Sequence, residues 1–99
     1  MKQIWRKSAR TCIERQERWF LDNKGQDFAL TFIENIHKAV NCVMSMPSIE
    51  QLGYTANGYT YRSVLTHPKC RLYYRYNDSV VVFYKVHFSS LPYSGSTSK

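Results

Sequence analysis

The residues of this chain that could do chemistry are basic and aromatic, and they crowd into its C-terminal part. Between Gly58 and Lys99, six cations (Arg62, Lys69, Arg71, Arg75, Lys85 and Lys99) stand against a single acid, Asp78. The first 57 residues hold eight Lys/Arg against six Asp/Glu, so +5 of the net +7 lies in the later segment. Tyr73 and Tyr84 are interleaved with these cations and can stack a planar group. His87 adds an imidazole, the side chain that exchanges protons near neutrality. Clustered positive charge, stacking rings and a proton-exchanging group are what a surface needs to engage a polyanion or an acidic protein. The same cations are also what a basic protein displays as solvated charge.

Other chemistries find no support in the residue pattern. His37, His67 and His87 have no metal-ligand spacing, and carboxylates are scarce near them. No phosphate-cradling glycine loop, Ser-His-Asp order or dinucleotide fingerprint is present, and no cofactor is expected. Cys12, Cys42 and Cys70 form no CxxC pair. An odd, sparse set of thiols fits a reducing compartment, so a cytoplasmic protein is expected. The opening MKQIWRKSAR lacks the apolar core of a secretory signal, and no apolar run is long enough to span a bilayer. Ninety-nine residues, 43% hydrophobic and 21% charged, fit one globular domain, expected over residues 1–91, with a polar tail at 92–99.

The elements that must position the basic residues follow from periodicity. Lys2 to Trp5 alternates as a short strand. Ser8 is a candidate N-cap, and Ala9, Cys12, Ile13, Gln16 and Phe20 recur at helical spacing until Asn23-Lys24-Gly25. Ala29, Phe32, Ile33, Ile36, Val40 and Val43 make the apolar stripe of a second helix, widened by Phe28, Ala39 and Met44 and closed by Pro47. So short a connection predicts an antiparallel helical hairpin whose stripes need a sheet to cover them. Residues 48–58 have turn chemistry and read as a loop. Tyr59–Thr66, Cys70–Tyr76 and Val80–Phe88 then read as strands. The expected fold is α+β: an antiparallel sheet in β-α-α-β-β-β order, with the helical hairpin packed on one face.

Parity sorts the strand residues into faces. Arg71, Tyr73 and Arg75 point one way, and Cys70, Leu72, Tyr74 and Tyr76 the other. With Asn77-Asp78 as a two-residue turn, Tyr76 opposes Ser79 and Tyr74 opposes Val81. That register puts Val81, Phe83, Lys85 and His87 with Leu72 and Tyr74, and Val80, Val82, Tyr84 and Val86 with the arginines. A bulge would change the assignment.

In this order of elements the chain resembles the RelE/ParE superfamily, the toxins of type II toxin–antitoxin modules. The resemblance rests on Ala9, Phe32, Ile33, Ile36, Pro47, Gly58, Arg62, Arg71, Tyr74, Arg75, Asp78 and His87, and covers about residues 2–90. Each motif is weak alone; their order and spacing carry the likeness. It implies a cognate antitoxin as partner and one of two activities. ParE-like members poison DNA gyrase, and the Arg62-Ser63-Val64-Leu65 segment with the late His87 fits that branch slightly better. RelE-like members are metal-independent endoribonucleases that cut messenger RNA on the ribosome. For that chemistry His87 would exchange the proton, and Arg62, Arg71, Arg75 and Lys85 would hold the phosphate. Arg62 matches the most recurrent family arginine and is expected to begin the basic face. His87 and Arg62 are thus the candidate catalytic residues, and Arg71, Arg75, Lys85, Lys69 and Tyr73 the candidate contacts to substrate or partner. A non-catalytic binding module is a third reading. Ser89-Ser90 stand where many members carry arginines.

Overall fold

The computed structural model describes residues 2–49, 51–67 and 70–88. Lys69 and the 92–99 tail, both singled out by sequence, lie outside the described residues. Among those described, no helix is long and apolar enough to cross a membrane.

Strand β1 (Lys2–Trp5) leads into helix α1 (Lys7–Asn23). The helix starts one residue before the expected Ser8 cap. Arg6 is still held by its amide to the Phe83 carbonyl at 2.9 Å, so strand pairing ends where the helix begins, and no side chain caps it. Gly25 (φ 99) separates α1 from helix α2 (Gln26–Ser45), as the sequence implied. Phe20 packs on Phe28 and Phe32 at one end of the hairpin, and Ile13 lies near Ile33, Ile36 and Val40 towards the other, so the helices run antiparallel. The stripe Ala29, Phe32, Ile36, Ala39, Val40 and Val43 is buried, whereas Phe28 remains 40% exposed.

After a 3-10 turn at Pro47–Ile49 comes strand β2 (Gln51–Ala56), where a loop was expected. It forms a hairpin with β3 (Tyr59–His67) through Asn57-Gly58. Both residues have positive φ (53° and 81°), the conformation that two-residue hairpin turns require and that Asn and Gly tolerate. The feature read as loop chemistry was a hairpin signal. At Gly53 the pairing is irregular, and a Cβ there would meet the Tyr61 carbonyl oxygen at 3.0 Å. Strands β4 (Cys70–Tyr76) and β5 (Val80–Phe88) complete a sheet in the order β1-β5-β4-β3-β2. The α+β class holds, but the sheet is mixed, because β1 runs parallel to β5 while the other pairs are antiparallel.

The β4–β5 pairing departs from the expected register twice, and the second departure changes which residues share a face. Asn77 Oδ1 accepts from the Ser79 and Val80 amides (2.8 and 3.0 Å), and the Asn77 amide donates to the Val80 carbonyl. The turn therefore moves on to Asp78-Ser79, and Tyr76 opposes Val81 instead of Ser79. A bulge then intervenes: Tyr74 opposes Phe83 but Tyr73 opposes Lys85, leaving Tyr84 as the extra residue. Beyond it, Lys85 and His87 change faces and join Tyr73 and Arg71, while Val86 and Phe88 pack against the core.

The core lies between the helical hairpin and one sheet face, with Val64, Cys70, Leu72, Tyr74, Val81 and Phe83 from the strands. Burial pushes the Cys70 thiol up to about 11. Its folded value exceeds the unfolded thiol value of roughly 8.5, so it contributes stability that is complete below that pH and lost as pH rises towards the folded value. Urea denaturation at pH 8 and at pH 10.5 is expected to show a clear loss of stability at the higher pH. Cys70→Ala should flatten that dependence; an unchanged slope would exclude Cys70 as its source.

Candidate functional site

The two helices cover one face of the sheet, and among the described residues no element covers the other. The open face carries Arg71, Tyr73 and Arg75 from β4, opposed by His87, Lys85 and Val82 from β5. Tyr61 and Ser63 join them from β3, opposite Arg75 and Tyr73, and Tyr54 extends the face at the sheet edge opposite Tyr61. Five of the seven acids (Glu14, Glu17, Asp22, Asp27 and Glu34) lie on the helices, behind the sheet, and Asp78 is in the β4–β5 turn. Among the described residues no carboxylate pairs with Arg71, Arg75 or Lys85. The charge asymmetry along the sequence thus becomes an asymmetry between two faces.

The cations are held in place by tyrosines. The Arg75 guanidinium lies 5.0 Å from the Tyr59 ring centre and 5.9 Å from that of Tyr84, and its Nε is buried with no hydrogen-bond partner. Lys85 Nζ sits 5.5 Å over Tyr73. Arg71 Nη1 donates to Ser63 Oγ at 3.1 Å, which orients its guanidinium across the sheet. Arg71 stands directly opposite His87, so a fixed cation and an exposed imidazole share one cross-strand pair. Burial, then the neighbouring Tyr54, Tyr61 and Tyr73, raise the Tyr84 hydroxyl above its ordinary value, with Arg75 opposing. Near neutral pH Tyr84 is therefore a hydrogen-bond donor and a stacking ring, not a base.

Arg62 departs from expectation. It pairs across the sheet with Tyr74 and donates from Nε to Tyr76 Oη at 3.2 Å, so its side chain is on the helix-covered face, opposite to Arg71, Arg75 and Lys85. Its guanidinium carbon is 6.0 Å from the Tyr76 ring centre, and it has a further partner beyond this contact. Lys85 and His87 of β5, which the expected register set on the face opposite the arginines, join Arg71 and Arg75 on the open face. Tyr54 escaped sequence reasoning because β2 was read as a loop, whereas Tyr59 and Tyr61 lay in an expected strand whose residues were not sorted by face. Asn57-Gly58 between Tyr/Thr-rich segments was the signal that could have found them. Among the described residues no group of three His, Cys, Asp or Glu is placed to hold a metal ion.

No family model and no curated protein matches the sequence. The backbone, however, is similar to solved structures. A chain of the chromosomal ParDE TA system from P. aeruginosa matches at TM-score 0.71 and 13% identity, covering 91% of this chain and 97% of that one. The YoeB/ParE toxin from Agrobacterium tumefaciens matches at TM-score 0.56 and 15% identity, covering 91% and 100%. The chain has the RelE/ParE fold that the order of its motifs implied.

Proposed function

We propose that the chain is the toxin of a type II toxin–antitoxin module, acting through the open sheet face and held inactive by a cognate antitoxin. The observation that carries this reading is the gathering of Arg71, Arg75, Lys85 and His87 on the face the helices leave bare, with the helical carboxylates behind the sheet. A surface of this kind is matched to a negatively charged target. The ParE-like branch, with DNA gyrase as target, is the first choice, supported by the likeness to the ParDE chain. Induced expression should arrest growth, and purified protein should inhibit gyrase supercoiling and trap cleaved DNA. Growth at the uninduced rate would reject the toxin reading.

One observation favours a second branch. The Arg71–His87 pair sets a proton-exchanging group beside a fixed positive charge, an arrangement suited to attack by a ribose 2′-hydroxyl on its own phosphate. In that case His87 moves the proton, and Arg71 and Lys85 stabilise charge developing on the phosphate oxygens. Primer extension on messenger RNA from a translation extract separates the branches: discrete new 5′ ends identify the ribonuclease, and intact messages with inhibited gyrase identify the poison.

A further inference from the structure

The two edges of the sheet are built differently. β1, at one edge, is four residues long and begins with Lys2, a short and charged strand of the kind that discourages pairing with another chain. β2, at the other, has six residues (QLGYTA) with no charge and no proline, and among the described strands it pairs only with β3. Its outer side is therefore an unprotected row of backbone donors and acceptors. Apolar side chains accompany it in solvent. Tyr54 of β2 is 58% exposed, and Leu65, on β3 just beyond the last residue that β2 pairs (Ser63), is 52% exposed.

The register says which backbone groups point outwards. Ala56 and Tyr59 flank the two-residue Asn57-Gly58 turn and so form a hydrogen-bonded pair. Thr55 and Thr60 are then a non-hydrogen-bonded pair, and the N–H and C=O of Thr55 point away from β3. Thr55 is itself exposed. The irregularity at Gly53 bends the strand, so the regular edge is residues 54–56 with Thr55 at its centre.

Charge selects the occupant. An acidic strand would seek cations, and β2 offers none. Arg62, opposite Leu52 on β3, reaches to Tyr76 Oη on β4, away from the edge. A strand identical to β2 meets no repulsion there, and a two-fold axis supplies the matching groups: Thr55 of each copy donates to and accepts from Thr55 of the other.

We infer that β2 is a self-pairing edge, joining two copies of the chain antiparallel through Thr55 into one continuous sheet. The axis stands perpendicular to the sheet, so both open faces turn to the same side, and a symmetric target would meet two basic surfaces at once. So short a regular edge buries little area, and the dimer is weak and concentration-dependent. The pairing does not rest on the toxin reading.

Sedimentation velocity of the full-length chain over about 5 to 500 µM, the range in which a weak interface associates, should show the average mass rising from the monomer towards twice that value. Both copies are net positive, so added salt should strengthen association. Thr55→Pro keeps the β3 pairing, in which the Thr55 N–H takes no part, and removes the outward donor. Thr55→Lys sets two like charges opposite each other at the axis, and tests the edge even where proline disturbs β2 itself. Each variant is expected to weaken association by about tenfold or more, the scale of two lost hydrogen bonds. A chain monomeric throughout, a dimer that neither variant weakens, or a dimer that salt dissociates would each overturn the self-pairing edge. So would Thr55-sensitive binding of an acidic extended peptide by a chain that stays monomeric, which gives the edge to a different occupant.

Discussion

Replacing Arg71 and Lys85 together by alanine is expected to abolish growth arrest and leave the fold intact. Both lie on the open face, Arg71 opposite His87 and Lys85 over Tyr73, and neither contributes to the core. Removing one preorganised group that stabilises developing charge costs on the order of a hundredfold or more in rate. Where the target is bound and not cut, losing two cations should also reduce the salt dependence of binding by about two phosphate contacts. Substitutions away from the core usually change stability by no more than ~0.5 kcal/mol each, so the melting temperature of the double variant should fall by less than about 8 °C. Undiminished arrest by a folded double variant would discard the open face as the working surface. Arg62→Ala provides the contrast. With its side chain bonded to Tyr76 behind the sheet, its loss should lower the melting temperature, and any loss of toxicity should follow the folded fraction. Arrest lost at full stability would return Arg62 to the site.

The largest loss of stability should come from Tyr74. Its side chain is fully buried, packs against Phe83 and Tyr76, and donates its hydroxyl to the Pro47 carbonyl at 2.6 Å. That bond ties the end of α2 to the centre of the sheet across the turn that leads into β2. Tyr74→Ala leaves a ring-sized cavity in a core of this kind, at a cost of about 3–5 kcal/mol. For a domain of this size that is a large part of the whole stability. Tyr74→Phe keeps the ring and removes only the hydrogen bond, with an expected cost of about 1–2 kcal/mol once the unpaired carbonyl is counted. Urea denaturation curves measure both. Tyr73→Ala, one residue away on the open face, should cost much less; equal costs at the two positions would contradict the division of faces.

Tyr73 and Tyr74 also mark what was legible in the sequence. Alternation within a strand is a local property of the extended backbone, so Arg71, Tyr73 and Arg75 could be assigned to one face and Leu72 and Tyr74 to the other. The stripe from Ala29 to Val43 and the short link at Gly25 likewise specified a helical hairpin, since helical period and loop length are read within the segment itself. The order of these elements was enough to identify the RelE/ParE fold.

Tertiary structure decided where one strand meets another. Asn77 caps its own turn and moves the β4–β5 hairpin on, and the bulge at Tyr84 then turns Lys85 and His87 to the open face. The irregular pairing at Gly53, the hairpin at Asn57-Gly58 and the parallel docking of β1 on β5 add an edge strand and a mixed sheet. Cross-strand pairing places Arg62 behind the sheet. Each depends on hydrogen bonds between residues distant in the chain, whose register a single strand's pattern does not contain. Composition thus determined that this protein would be basic towards its C-terminus; strand pairing determined which of those charges, with which tyrosines, share a surface.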